Sequence, residues 1–267
     1  MKTKKRLDQL LVERKLFDSR EKAKRAIMAG VVYSAQKCLD KPGINVNSDI
    51  SITVKGTDNP YVSRGGLKLH KAINVFDISF RDKIVVDVGA STGGFTDCAI
   101  KHGAKLVYSI DVGYGQLAWS LRNDSRVINM ERTNFRHVEK KQFNPKPELA
   151  IIDASFISLK LLLPKVKEIL CSNGQVMALI KPQFEAGRDR VGKKGVVRDR
   201  QVHIDVIDEI VCFCEETGLY PTDIDFSPIK GPEGNIEYLL LCRNSYSNYK
   251  IAKNDINQLV NKAHSKI

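Results

Sequence analysis

Lys68, Asp153, Lys181 and Glu237 are far apart in the chain, yet an alternating strand and helix pattern would bring all four near the carboxyl ends of its strands. Lys68 lies in a helix leading into that pattern, and Asp153 ends an apolar strand at 149–152. The run Val176-Met-Ala-Leu-Ile180 delivers Lys181 directly into Pro182, and Glu237 falls in a late strand after Gly231-Pro-Glu-Gly234. Two amines and two carboxylates can together take a proton from a hydroxyl. A lysine in its neutral form is the base, and carboxylates hold the reacting groups in place. Lys181 is the candidate base; Lys68 favours its neutral form, while Asp153 and Glu237 oppose that. Taken singly, each residue fits a surface salt bridge better, so the suggestion rests on the set.

The segment Val85-Val-Asp-Val-Gly-Ala-Ser-Thr-Gly-Gly-Phe-Thr96 places a strand, an acid, a glycine turn and a helix start in order. Glycines at 89, 93 and 94 do not make G-x-G-x-x-G, so a nucleotide without a pyrophosphate fits better than a dinucleotide. The turn resembles the D-x-G-x-x-x-G turn of Rossmann-like methyltransferases. That resemblance implies S-adenosylmethionine as cofactor, with contacts from Asp87, Gly89, Ala90, Ser91, Thr92, Gly93, Gly94 and Asp153. Asp111, ending the next strand, can accept from both ribose hydroxyls, and Asn134 follows the third strand, where an adenine edge is usually met. The plainer readings are tight strand-to-helix packing for the glycines and an ordinary polar loop residue for Asn134.

The elements that must position these residues are legible as period and punctuation. Strands are predicted at 83–88, 106–111, 127–130, 149–152, 174–180 and 236–241, with helical segments between most of them, giving a doubly wound, mostly parallel α/β sheet. An amphipathic stretch at 67–76 enters this domain after Ser63-Arg-Gly-Gly66. The segment 183–200, rich in Gly, Lys and Arg with little apolar content, reads as a loop that either closes over a substrate or is simply mobile.

The chain has 267 residues and a net charge of +12, half of it in the first 63 residues, which favours a polyanionic partner. There, helical spacing predicts a helix from Arg6 to Leu16 and a second one capped by Asp18 and closed by Gly30; both precede β-rich segments at 31–33 and 50–54. Arg6, Arg20, Lys22, Lys24 and Arg64 are candidate phosphate contacts, against the plainer reading of solvated helix faces. Six cysteines without C-x-x-C spacing imply reduced, packed thiols. The five histidines read as isolated, so no metal is expected. The absence of an apolar h-region or a spanning run predicts a soluble, cytoplasmic protein without a membrane partner.

The front segment resembles the S-four-type RNA-binding domain through Arg6-Leu-Asp8, Ser19-Arg20, Ala23, Ile27, Gly30-Val-Val32, Lys41-Pro42 and Asp49-Ile-Ser-Ile52, with Ser34-Ala-Gln36 departing from its usual turn. The four charged residues resemble the Lys-Asp-Lys-Glu tetrad of FtsJ-type ribose 2′-O-methyltransferases. The chain from about Lys5 to Arg243 resembles the TlyA, or hemolysin A, family through Tyr61-Val-Ser-Arg-Gly-Gly66, Asp87 to Phe95, Asp153-Ala-Ser-Phe-Ile-Ser158, Lys181-Pro-Gln-Phe-Glu185, Lys194-Gly-Val-Val-Arg198 and Ser227-Pro-Ile-Lys-Gly-Pro232, and from Asn244 onward the resemblance thins. The resemblance implies an RNA-binding domain at 1–58, a linker at 59–65 and a methyltransferase domain at 66–267. It further implies methylation of cytidine 2′-hydroxyls in ribosomal RNA, with a lean towards both subunits. The competing readings are a non-catalytic ribosome-assembly factor, a membrane-acting hemolysin and, more distantly, a pseudouridine synthase.

Overall fold

The computed structural model describes residues 4–28, 30–35, 37–54 and 59–267, and the chain divides into two compact units, Met1–Leu67 and Lys68–Ile267. The basic start at 1–3, Gln36 of the Ser34-Ala-Gln36 segment and Asp58 before the expected linker lie outside the described residues.

The first unit contains β1 (Lys4–Arg6), α1 (Leu7–Glu13), α2 (Arg20–Met28), β2 (Val32–Ser34), β3 (Lys37–Cys38), β4 (Asn45–Asn47) and β5 (Thr53–Val54). Its core is the helical face read from spacing, Leu7, Leu10, Leu11, Ala23 and Ile27, closed by Val32, Leu39 and Val46. Two expectations are corrected. A strand precedes the helices, because β1 pairs antiparallel with β4, Lys5 opposite Val46; three residues are too few to show a period. Ser19, not Asp18, caps α2: its hydroxyl accepts from the Lys22 N–H at 3.2 Å, while the Asp18 carboxylate holds the Lys22 ammonium at 2.6 Å.

The chain continues with α3 (Gly65–Phe76), β6 (Ile84–Val88), α4 (Gly94–Lys101), β7 (Leu106–Ile110), α5 (Trp119–Arg122), β8 (Val127–Met130), β9 (Leu149–Ile152), α6 (Leu163–Ile169), β10 (Gln175–Ile180), α7 (Pro182–Glu185), α8 (Arg200–Glu216), β11 (Tyr220–Phe226), β12 (Tyr238–Arg243) and α9 (Lys253–Lys266). The seven-stranded sheet has the order β11-β12-β10-β9-β6-β7-β8. Strands β10, β9, β6, β7 and β8 are parallel, as the alternation of strands and helices suggested, and β12 and β11 are added antiparallel at one side. Strand β11 escaped the sequence reading because Pro221, Asp223 and Asp225 interrupt its apolar pattern. An edge strand tolerates them, and a register shift between Pro221 and Asp223 absorbs the proline.

From β6 the chain runs outward through β7 and β8, then returns to the opposite side of β6 as β9. The crevice beyond the carboxyl ends of β6 and β9 is therefore the topological switch point, where open α/β sheets bind ligands. The Asp153 N–H donates to the Val88 carbonyl at 3.1 Å, so the two chains stay side by side as they leave the sheet. Segment 183–200 is not the open loop expected from its composition: Ala186 and Val197 are buried in the main core, and Asn235 receives the Val197 N–H at 3.1 Å and donates to the Gly195 carbonyl at 2.9 Å. Among the described residues no helix is long and apolar enough to cross a membrane.

Candidate active site

Register explains how distant residues meet. Ile180 of β10 pairs with Tyr238 of β12, and because the pair is antiparallel, Lys181 after one strand and Glu237 before the other fall at the same end. Asp153 leaves the neighbouring β9 at that end, and α3 supplies Lys68. The result is a row of alternating charge: Glu237 Oε2 lies 2.6 Å from Lys68 Nζ, Lys68 Nζ 3.7 Å from Asp153 Oδ2, and Asp153 Oδ1 2.6 Å from Lys181 Nζ. Lys68, Lys181 and Glu237 are buried. Burial by itself would push the Asp153 carboxyl up, but the Lys181 and Lys68 ammonium groups outweigh it and hold the pKa below the usual carboxylate value.

The Lys181 ammonium also donates to Ser155 Oγ at 3.0 Å and, at the long limit of 3.4 Å, to the Asp153 carbonyl. Ser155 is exposed, so its hydroxyl marks the side from which another hydroxyl can reach Lys181. Beside it Phe156, with φ of +63°, is 90% exposed and tilted against Phe184 at 5.0 Å between ring centroids. Sequence reasoning singled out neither Ser155 nor Phe156; the only available signal was their place in the Asp153-Ala-Ser-Phe motif. Gly231 is a third omission. A Cβ there would lie 2.1 Å from Glu237 Oε1, a buried oxygen without a hydrogen-bond partner, so only glycine leaves room for the carboxylate.

The turn after β6 has two jobs. Gly89 has φ of +85°, and a Cβ on it would sit 2.9 Å from the Ala154 Cα, so close backbone approach requires glycine. Gly93, with φ of +91°, answers to packing, since a Cβ there would meet Leu121 Cδ1 at 2.4 Å and Leu117 Cδ1 at 2.7 Å. The packing explanation therefore accounts for part of the pattern. Gly94 opens α4, and Ala90 is buried, while Thr92 accepts the Ala118 N–H through its carbonyl at 3.2 Å.

Packing does not account for the carboxylates. Asp87 is fully buried, receives the Thr96 hydroxyl on Oδ2 at 2.6 Å and leaves Oδ1 without a partner. Burial, only partly offset by Thr96 and reinforced by the charges of Asp153 and Asp111, pushes its pKa up to about 7. Asp111 accepts from the Ser91 N–H at 2.8 Å and the Gly113 N–H at 2.7 Å, which orients its carboxylate and leaves lone pairs on both oxygens. Asn134 follows β8, but its Oδ1 caps a short 3-10 turn by accepting from the Arg136 N–H at 3.1 Å. Three mutually repelling carboxylates beside a turn that needs glycine fit a cationic group, and S-adenosylmethionine carries a sulfonium and an ammonium.

In the first unit the candidate RNA contacts are already engaged in part. Asp8 is fully buried and gripped by Arg6, through Nε and Nη2 at 3.1 Å, and by Arg20 Nε at 2.9 Å; first Arg6 and then Arg20 hold its pKa down at about 2 against burial. Arg64 binds Asp40 at 3.0 Å and Lys22 binds Asp18, whereas Lys24 is exposed on α2. Four of the five histidines are not isolated, which corrects the sequence reading. The rings of His70 and His102 are 5.4 Å apart, and those of His203 and His264 are 4.8 Å apart, proximities hidden by separations along the chain. His203 is buried and bridges the Tyr238 hydroxyl at 2.7 Å and the Val197 carbonyl at 3.0 Å.

Residues 61–244 match the FtsJ-like methyltransferase family and residues 5–49 match the S4 domain. The chain is 57% identical to YqxC of Bacillus subtilis over 89% of this chain and 85% of that one. It is 40% identical to the Mycobacterium tuberculosis protein named 16S/23S rRNA (cytidine-2′-O)-methyltransferase TlyA, over 89% of each. A solved Streptococcus thermophilus structure superposes with a TM-score of 0.80 at 45% identity, covering 100% of this chain and 98% of the other. With its S4 front segment, its methyltransferase sheet and matches that run the length of both, the chain belongs to the TlyA, or hemolysin A, family of FtsJ-like methyltransferases.

Proposed function

We propose that the protein transfers a methyl group from S-adenosylmethionine to the 2′-hydroxyl of a cytidine in ribosomal RNA. The observation that carries this reading is the buried row Glu237, Lys68, Asp153, Lys181 beside the glycine turn at the switch point. The cofactor, when bound, supplies an activated methyl on a positively charged sulfur. Asp87 and the backbone around Gly89 hold its methionine end, and Asp111 takes the ribose hydroxyls. A ribose hydroxyl is a weak nucleophile, so the protein's task is to orient it and remove one proton. After losing one proton to solvent, Lys181 in its neutral form accepts the hydroxyl proton at Nζ and becomes an ammonium beside Asp153, with the incoming hydroxyl in the place that Ser155 Oγ now occupies. Asp153 orients Lys181, and Lys68 with Glu237 fixes Asp153 from behind. Phe156, exposed beside this point, offers a face on which the target base can stack. The named activity of the Mycobacterium tuberculosis relative supports the cytidine and ribosomal RNA assignment. Mapping ribose methylation by mass spectrometry in ribosomal RNA from cells with and without the gene tests it. A cytidine 2′-O-methyl mark should disappear; an unchanged map rejects the substrate.

The charge of the pocket leads to a prediction. A cation held by Asp87 favours the ionised carboxylate, whose pKa lies at about 7 in the unliganded protein. Cofactor affinity measured by calorimetry should therefore rise with pH through neutrality and level off above it, with a proton released on the acidic side. Asp87→Asn should weaken binding and remove that dependence. A pH-independent affinity in the wild-type protein would detach Asp87 from the cofactor.

For RNA, the pairing in the first unit separates two kinds of arginine and lysine. Lys24→Ala should weaken RNA binding and reduce its salt slope by about 1, as expected for one lost phosphate contact. Arg20→Ala should instead lower the unit's stability, because it strips a partner from the buried Asp8. Filter binding over a salt series and thermal melts distinguish them; an unaltered slope for Lys24→Ala removes α2 from the RNA interface.

A further inference from the structure

Among the described residues, outside the tetrad and the cofactor turn, one side-chain cluster has the chemistry of a metal site. We propose that His70, Cys98 and His102 bind a borderline-soft divalent transition metal, zinc foremost. Cys98 and His102 are four residues apart, on and just after α4, and so share one face; His70 comes from α3. One ligand atom from each of the three lies within 4.8 Å of the others. Tetrahedral zinc, with bonds of about 2.3 Å to sulfur and 2.0–2.1 Å to nitrogen, sets neighbouring ligand atoms roughly 3.3–3.6 Å apart. The cluster is therefore slightly expanded relative to a filled site, by an amount that rotation of an imidazole side chain can close.

A hydrogen bond prepares the site further. His102 Nδ1 lies 2.8 Å from the Cys98 carbonyl oxygen, which can only accept, so the proton is on Nδ1 and the lone pair is on Nε2. An imidazole that donates one N–H to a backbone carbonyl and presents its other nitrogen is the usual form of a zinc-bound histidine. Cys98 is fully buried, whereas both histidines are only partly so, which leaves a side open for the ion to enter and for water as the fourth ligand. On binding, the Cys98 S–H bond breaks, its proton goes to solvent and the thiolate forms the metal–sulfur bond. With two neutral imidazoles the bound centre has a net charge of +1. Such an ion would tie α3, which carries Lys68, to α4, which follows the glycine turn.

Cobalt(II) titration of the purified full-length protein tests the site, because a thiolate ligand gives a sulfur-to-cobalt charge-transfer absorption in the near ultraviolet. One equivalent should develop the band, and zinc should abolish it by displacement. Cys98→Ser should eliminate it. His70→Gln and His102→Asn, at partly exposed positions where folding is easily kept and checked by circular dichroism, should each weaken cobalt affinity at least about 10-fold, the loss seen even for outer partners of metal sites. Zinc should raise the thermal unfolding midpoint of the wild-type protein and not that of His70→Gln. Absence of the band overturns the proposal. So does a band that keeps its affinity in folded His70→Gln, since the site would then not join the two helices.

Discussion

Lys181→Ala is expected to lower methyl transfer to ribosomal RNA by roughly 10²- to 10⁴-fold, the range contributed by a positioned base. The sheet should be unaffected, because Lys181 lies beyond the last residue of β10 and donates no ladder hydrogen bond through its side chain. Cofactor affinity should also persist, since the side chain contacts Asp153 and Ser155 and not the glycine turn. Removing the ammonium leaves Asp153 near Lys68 alone, at 3.7 Å, so some loosening of that loop accompanies the chemical loss. Tritiated methyl transfer to ribosomal subunits lacking the modification measures the effect, with circular dichroism as the control for folding. Near-wild-type turnover in a folded Lys181→Ala protein would show that proton removal belongs to another group.

Glu237→Ala should give the largest loss of stability among the site substitutions. Glu237 is fully buried, and its pairing with Lys68 at 2.6 Å offsets the desolvation of both charges. Breaking a buried pair by deleting one partner costs about 3–5 kcal/mol, and the nearby Asp153 carboxylate should keep the loss towards the lower end. For a unit of this size that corresponds to a fall in melting temperature of roughly 6–12 °C. Turnover should fall as well, because Lys68 loses the group that fixes it against Asp153. The double change Lys68→Met with Glu237→Gln separates the two effects: stability should largely return, since no unpaired charge remains, whereas turnover should not. A single Glu237→Ala variant with an unchanged melting temperature would mean that the pair contributes nothing to the fold.

Much of this protein is written locally. Strands β6, β7, β9 and β10 announce themselves as apolar runs because they are largely buried, and two of the four tetrad residues, Asp153 and Lys181, stand where such a run stops and the chain turns outward. Asp87, the glycine turn and Asp111 are legible for the same reason: a strand, a tight turn and the end of the next strand are short-range features. So is the helical face of the first unit, which Leu7, Leu10, Leu11, Ala23 and Ile27 fill as their spacing predicts.

What only the tertiary structure decided is which groups pair across long separations. No local signal says that Lys68 meets Glu237, 169 positions away, or that Arg6 and Arg20 close on a buried Asp8 and are thereby partly withdrawn from solvent. Strand β11, punctuated by proline and acids, exists because β12 offers it an edge, and segment 183–200 is held because Asn235 and His203 take up its backbone. His70 on α3 comes together with Cys98 and His102, about 30 positions away on and just after α4, only through the tertiary packing. Periodicity and chain punctuation act over a few residues, whereas register, burial and ion pairing are settled by the packing of elements that the sequence places far apart.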